Sequence, residues 1–388
     1  MKSFLNIIMI FFGVNSFAQV YNHGEIILEN NAKLLINKEL TNYSQGKINN
    51  AGTINIKGDW LNYADSNVFK ENKGSVIFSG TEQSIAANKT AYWALSISKG
   101  SKTTLNTDIT VDFLLNFNDG IILLNGHNLE VSGSSNQAIN ISKGGIQSDS
   151  FAGRVYWQIL KGVYTIPFIT DDGTGIPLNL DAGQNNTAIA KISTNTYHTD
   201  KDNKPYPPGI SNMDYEGEDV SEMVVDRFWY IDPDGIKLNT TFAFADGDIT
   251  GEMNKNKLKL FYHDGNQWIL SNQGHANGDN TFTCNIDKAG WYALLSTEKV
   301  QTQDINSAIK ILSIYPNPAK DKIFVEIPVP GVGYSIQIMD MGGKTVLTQK
   351  ISKPGAKIKL DISNLTSGVY MLYLNGEKGN KYAGKFIK

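Results

Sequence analysis

Between Gly24 and Ser148 apolar and polar residues alternate in short runs, and each run ends in a glycine- or asparagine-rich turn. The runs are Glu25-Ile-Ile-Leu-Glu, Lys33-Leu-Leu-Ile, Thr53-Ile-Asn-Ile-Lys, Ser75-Val-Ile-Phe-Ser, Ala94-Leu-Ser-Ile-Ser, Ile121-Ile-Leu-Leu and Asn128-Leu-Glu-Val-Ser. A period of two is that of a strand with one face inward, since successive side chains point to opposite sides. Gly52, Gly74 and Gly120 each stand just ahead of an alternating run, where a residue without Cβ can turn the chain at no steric cost. A degenerate repeat of about 20 residues follows, and it predicts a β-solenoid in which each coil stacks on the last. A flat sandwich with long meanders is the alternative that fits the same pattern.

The pattern changes on either side of this region. Met1 to Gln19 has a basic start at Lys2, an apolar stretch from Phe4 to Val14 and small residues at Ser16 and Ala18. That stretch is about 11 residues, in the range of a secretory signal and short of the ~20 that span a bilayer. Cleavage between Ala18 and Gln19 is expected. From Asp149 to Thr297 prolines appear, with tryptophans at 157, 229, 268 and 291 inside alternating runs. Runs such as Arg154-Val-Tyr-Trp-Gln-Ile and Lys257-Leu-Lys-Leu-Phe-Tyr predict an antiparallel sandwich with the tryptophans mainly in its core. Thr194–Glu222, with Pro205, Pro207 and Pro208, is expected to be a surface loop. The polar stretch after Thr297 is expected to be a linker.

The last region opens on Tyr315-Pro316-Asn317-Pro318 and the run Lys322-Ile-Phe-Val-Glu-Ile. Next come Asp340-Met-Gly342-Gly343-Lys344, the segment Asn364-Leu365-Thr-Ser-Gly368-Val369-Tyr370, and the ending Lys385-Phe386-Ile-Lys388. Asp340 ahead of two glycines suits a turn whose side chain accepts local amides. The paired prolines set an extended segment that cannot donate to a sheet ladder. In order, spacing and terminal position these motifs resemble the type A C-terminal sorting domain of type IX secretion cargo in Bacteroidota. Asn50–Asn62 and Gly74–Ile85 similarly resemble the N-terminal part of large secreted proteins from that group. The resemblance implies an Ig-like sandwich and passage through the inner membrane and then the type IX translocon. Its implied partners are an outer-membrane shuttle barrel and a surface sortase that cuts before Ile311. The implied location is extracellular or at the cell surface, associated with the outer membrane.

The expected fold is therefore all-β: a signal peptide at 1–18, a solenoid-like region at 19–148, a sandwich at 149–297, a linker at 298–310 and the sorting domain at 311–388. Composition refines this little. The chain has 388 residues and a formal charge of −3, but residues 311–388 hold 11 Lys against 5 acidic residues. Lysines on exposed strands deter edge pairing, and no basic face of the kind nucleic acids require precedes them. A single cysteine, Cys284, rules out an internal disulfide and reads as a small buried hydrophobe.

Candidate chemistry is sparse. The histidines at 23, 127, 198, 263 and 275 lack metal-ligand spacing, and neither His-Glu-x-x-His nor Gly-x-Ser-x-Gly occurs. Gly379–Lys385 approaches a phosphate loop, but Phe386 replaces the metal-binding hydroxyl and no helix pattern follows. Asn106-Thr-Asp108 and Gly126-His127 echo pectin-hydrolase fragments without the carboxylate pair that such hydrolysis needs. Acidic turns at Asp171-Asp172-Gly173, Asp232–Gly235 and Asp246–Glu252 offer oxygen atoms of the type Ca²⁺ takes, short of full calcium-loop spacing. No cofactor is expected, calcium being the one weak alternative. The expected role is a non-enzymatic, adhesin-like surface protein with a glycan or envelope-protein partner. An accessory of the secretion or gliding machinery and a secreted carbohydrate-active enzyme are the alternatives.

Overall fold

A computed structural model describes residues 8–11, 14–69, 73–148, 150–249, 253–298, 310–327, 333–352, 354–376 and 381–388. The chain is all-β and divides into two compact units, Met1–Val300 and Gln301–Lys388. The described helical residues form only 3-10 turns, such as Asp246–Asp248. No described helix is long and apolar enough to cross a membrane.

The first unit begins as the expected solenoid. Lys33–Ile36, Thr53–Ile56 and Ser75–Phe78 pair in parallel and in register, and Ser75–Phe78 pairs on to Ala94–Ile97. A second face stacks Val20–Asn22, Leu40–Asn42 and Trp60–Asn62 at a spacing of 20 residues. The alternation sends Leu34, Ile36, Ile54, Ile56, Val76 and Phe78 into one continuous core, each almost wholly buried. Parallel ladders bury both partners' inward side chains at the same height, so one Ile or Leu column per face suffices. Each coil buries too little alone, and stacking supplies the rest.

Two features of the solenoid lie outside the hydrophobic pattern. Asn22, Asn42 and Asn62 are buried and stacked one per coil. Asn22 Nδ2 donates to Asn42 Oδ1 at 2.7 Å, and Asn42 Nδ2 donates to the Gly46 carbonyl at 3.2 Å and to Asn62 Oδ1 at 3.4 Å. The ladder closes each coil's corner with amides that would otherwise be buried unpaired. Replacing Asn42 with leucine is expected to cost about 2–3 kcal/mol, because it strips partners from buried amide groups in the coils on either side. The midpoint of denaturant unfolding measures it. One residue further on, the rings of His23, Tyr43 and Tyr63 stack on the outside with centroids 4.0 and 6.0 Å apart.

The expected export segment enters the same stack. Backbone at Ile8–Phe11 pairs in parallel with Glu25–Leu28, and Val14–Phe17 with Lys33–Ile36. Residues 1–7 and 12–13 of that segment lie outside the described residues. Ala18 and Gln19, at the expected cleavage point, are exposed.

Solenoid and sandwich share a sheet. Leu129–Val131 pairs in parallel with Val155–Trp157, and the other edge of Val155–Ile159 pairs antiparallel with Ala190–Thr194. Ala190–His198 pairs with Arg227–Asp232, which pairs with Gly290–Ser296 and so reaches Leu258–His263. A five-stranded sheet of Val163–Ile166, Leu178–Asp181, Leu238–Ala243, Thr281–Ile286 and His275–Ala276 accompanies it. The core of the solenoid runs on into this region through Trp157, Ile192, Trp229, Phe242 and Tyr292. All four tryptophans are buried, as their alternation predicts, and so is Cys284, whose thiol burial pushes up to about 12.

Thr194–Glu222 departs from its expectation as a surface loop. Its first residues complete the strand Ala190–His198. Ile210 and Met213 then join a second core with Tyr197, Val224, Phe228, Phe261, Trp268 and Trp291. Pro205 and Pro208 are exposed, whereas Pro207 is buried.

The second unit is a two-sheet sandwich. One sheet runs Lys310–Ile311, Lys381–Ile387, Val369–Gly376, Tyr334–Asp340, Thr345–Ile351; the other holds Ile314–Tyr315, Lys322–Glu326 and Lys357–Asp361. Ile323, Val325, Ile336, Ile338, Leu360, Leu372, Leu374 and Phe386 fill the space between them. The expected linker at 298–310 lies almost entirely outside the described residues.

Candidate functional site

Among the described residues, one place in each unit brings the side chains singled out by the sequence together. In the C-terminal unit the motif residues form the joints of the sandwich. The Asn317 side chain ties the segment between the two prolines to the final strand: Oδ1 accepts the Ile387 amide at 2.9 Å and Nδ2 donates to the Lys385 carbonyl at 3.2 Å. Both flanking bonds, Tyr315–Pro316 and Asn317–Pro318, are cis. The Tyr315 ring lies 6.0 Å from that of Phe324 and carries the Lys357 ammonium 5.0 Å from its centroid. Asp340 Oδ1 accepts the amides of Gly342 and Lys344 at 2.9 and 3.0 Å, with Gly343 at φ +80° completing the turn. This is the chemistry the Asp-x-Gly-Gly-Lys pattern predicts.

Further along, Tyr370 Oη donates to the Thr366 carbonyl at 2.8 Å, and its ring stacks on the fully buried Phe386. Leu365 packs against the core, and its amide donates to Ile362. Gly368 exchanges two backbone hydrogen bonds with Lys388, so Val369 starts its strand beside the chain end. The Lys388 ammonium then donates to the carbonyls of Ile362 and Ser363 at 2.6 and 2.7 Å. Lys385, between these contacts, is exposed. The motif residues are thus scattered along the sequence but share a structural role: they fix turns and fasten the terminal strand.

The second place is a cavity of about 370 Å³ in the first unit, lined by Ser148, Ile169, Asp171, Asp172, His198 and Asp248 among others. Arg227 and Asp248 form a buried ion pair at its base, with Nε to Oδ2 at 2.7 Å and a second guanidinium nitrogen to Oδ1 at 3.1 Å. Asp248 Oδ2 also accepts the Ala245 amide at 2.9 Å, and Oδ1 lies 2.8 Å from His198 Nδ1. Both carboxylate oxygens are therefore occupied. Beside them, burial pushes the Asp226 carboxyl up to about 7. At the rim, bonds from the Thr170 hydroxyl and the Thr174 amide hold Asp172 down at about 2, and Asp171 accepts Gln147 Nε2 at 2.7 Å.

The sequence marks two of these groups as acidic turns, Asp171-Asp172 and Asp246–Glu252, and leaves His198 isolated. It does not foresee their meeting, nor Ser148. Among the described residues no group of three or more His, Cys, Asp and Glu side chains is placed to hold a metal ion. His127 lies 3.6 Å from Asp108 at the solenoid surface.

Comparison with known proteins bears on the C-terminal unit. Residues 313–388 match the family described as "Secretion system C-terminal sorting domain". The chain is also 36% identical over 64 residues to Beta-agarase A of Zobellia galactanivorans, covering 16% of this chain and 12% of that protein. That stretch lies in the sorting-domain region. The chain carries a type IX secretion C-terminal sorting domain, as its motifs led one to expect, and is exported to the cell surface or beyond.

Proposed function

We propose that this exported chain is a non-enzymatic, adhesin-like surface protein, in which solenoid and sandwich form the working passenger and residues 311–388 the address. The observation that carries the reading is the fusion of a repetitive solenoid to a sandwich through one sheet, joined in sequence to a sorting domain. A stacked repeat presents a long shallow surface, which suits contact with glycans or envelope proteins. The C-terminal unit is read by the type IX translocon and its outer-membrane shuttle barrel. A surface sortase cuts in the polar segment before Ile311, where exposed backbone is easiest for a protease to grip.

Two measurements test this. Deleting residues 311–388 in a type IX-competent host is expected to hold the chain in the periplasm, with loss of more than nine-tenths of the surface signal by immunoblot of fractions. Undiminished surface display would reject the address. Incubating the purified passenger with a polysaccharide and peptide panel is expected to give no turnover, and robust product formation would favour the secreted-enzyme alternative.

A further inference from the structure

The cavity between Ser148, Asp171 and His198 has the makings of a ligand site. Ser148 is 6% exposed, yet its hydroxyl has no hydrogen-bond partner among the described residues. An orphan hydroxyl at that depth carries a desolvation cost that no described residue offsets. It lines the cavity, where a ligand group would complete it.

The remaining wall is rich in acceptors and short of donors. Asp248 accepts from the Arg227 guanidinium and the Ala245 amide, and a carboxylate so held takes a proton donor from His198 as well. In the tautomer that donates from Nδ1 to Oδ1, His198 Nε2 is an acceptor. The imidazole is half exposed, so Nε2 remains reachable. Arg227 is buried and committed to Asp248, with its other terminal nitrogen on Thr196 Oγ1 at 3.4 Å. Its charge cancels that of Asp248. The carboxylates of Asp171 and Asp172 face the same cavity with no cation paired to either among the described residues. The local balance is two negative charges, and the available polar atoms are carboxylate oxygens, one imidazole nitrogen and one hydroxyl. Ile169 and Ala245 add apolar surface for a carbon skeleton. The volume sits at the small end of the range for small-molecule sites.

We propose that this cavity binds a primary ammonium group on a small hydroxylated or aliphatic skeleton, the ammonium lying between Asp171, His198 Nε2 and the Ser148 hydroxyl. An ammonium supplies three donors and a positive charge, the two things the wall lacks. A non-acetylated amino sugar and a lysine side chain are the two sources of that chemistry. The inference deepens the adhesin-like reading and rests on the passenger acting by binding.

Calorimetric titration of the full chain, in EDTA, with a glucosamine disaccharide, its N,N′-diacetyl form and lysine amide tests it. At least one amine is expected to bind, and the diacetyl sugar at least tenfold more weakly (about 1.4 kcal/mol). Whichever amine binds names the source. Ser148→Ala and Asp171→Asn are each expected to weaken binding about tenfold. Ser148→Ala should also leave the thermal midpoint unchanged or raise it, since it removes a hydroxyl with no partner. A merely structural serine would show the reverse pair of results. Equal binding of the acetylated sugar, no binding of either amine at millimolar concentration, or full affinity in Ser148→Ala overturns the proposal. Recovering the ligand intact after titration separates the two readings. Turnover would defeat the non-enzymatic role and leave the site standing, whereas failure to bind would defeat the site and leave the export reading standing.

Discussion

Replacing Gly144 with alanine is expected to lower the thermal midpoint of the first unit by roughly 8–15 °C, the counterpart of a loss of about 4 kcal/mol. Gly144 has φ +91°, a conformation that L side chains rarely adopt, and it stacks in register on Gly120 of the coil before. A Cβ at 144 would stand 2.0 Å from the Gly120 carbonyl oxygen and within 2.9 Å of its carbon and nitrogen. These are backbone atoms held by the parallel ladder, so no side-chain rotation relieves the clash. Gly145 is as confined, its Cβ position lying 2.2 Å from the Pro167 oxygen. The coils would have to part over Ile139–Gln147, the strand that leads to Ser148 and the cavity. Gly173 provides the control: its φ is +85°, but nothing lies within 4 Å of its Cβ position. Gly173→Ala bears only the left-handed backbone cost of about 1–2 kcal/mol. Calorimetric scans of both variants decide the matter. Equal shifts would mean that backbone conformation, not contact between coils, limits stability there.

The contrast between these glycines shows what the sequence reveals and what it conceals. Alternation at Glu25–Leu28, Lys33–Ile36, Thr53–Ile56 and Ser75–Phe78 is legible because each coil must send every second residue into one core. Gly52 and Gly74 stand where a Cβ would collide with backbone of the coil before, and so does Gly120, which lies within the strand Ile109–Leu123 rather than at the expected turn. The strand Ile109–Leu123 is harder to read, since its pairing shifts register around Asn118 and the alternation breaks there. The buried asparagine ladder is hidden because Asn22, Asn42 and Asn62 each stand singly at the end of a short run, where a polar residue reads as turn chemistry. In the C-terminal unit the turn at Asp340 is local and therefore legible. The clasp of Asn317 on Ile387 spans 70 residues and has no local signature. The cavity is the extreme case. Ser148, Asp171, His198, Arg227 and Asp248 come from separate turns and strand ends, and only the switch from parallel to antiparallel pairing at Val155–Ile159 assembles them. Besides the acidic turns, the trace in the sequence is the rarity of arginine. A chain with only Arg154 and Arg227 has buried the second at the start of a sheet strand, where lysine cannot supply a planar two-pronged donor.

That rarity makes Arg227 the most consequential charged position. Arg227→Met is expected to destabilise the first unit by about 3–5 kcal/mol, because it strands the Asp248 carboxylate in a buried site with one counter-charge removed. Arg227 is 3% and Asp248 2% exposed, so water cannot replace the two guanidinium contacts at 2.7 and 3.1 Å. His198 and the Ala245 amide would remain as the only partners among the described residues. The cost belongs to the unpaired charge rather than to the pair itself. Adding Asp248→Asn to Arg227→Met is therefore expected to recover at least half of the loss, since a neutral amide needs no counter-ion. Folding free energies of the wild type, both single variants and the double variant close the cycle. A coupling near zero, with Arg227→Met costing under about 1 kcal/mol, would mean that water reaches Asp248 through the cavity. The pair would then behave as a surface ion pair, and His198 would have no rigid anchor for its ring.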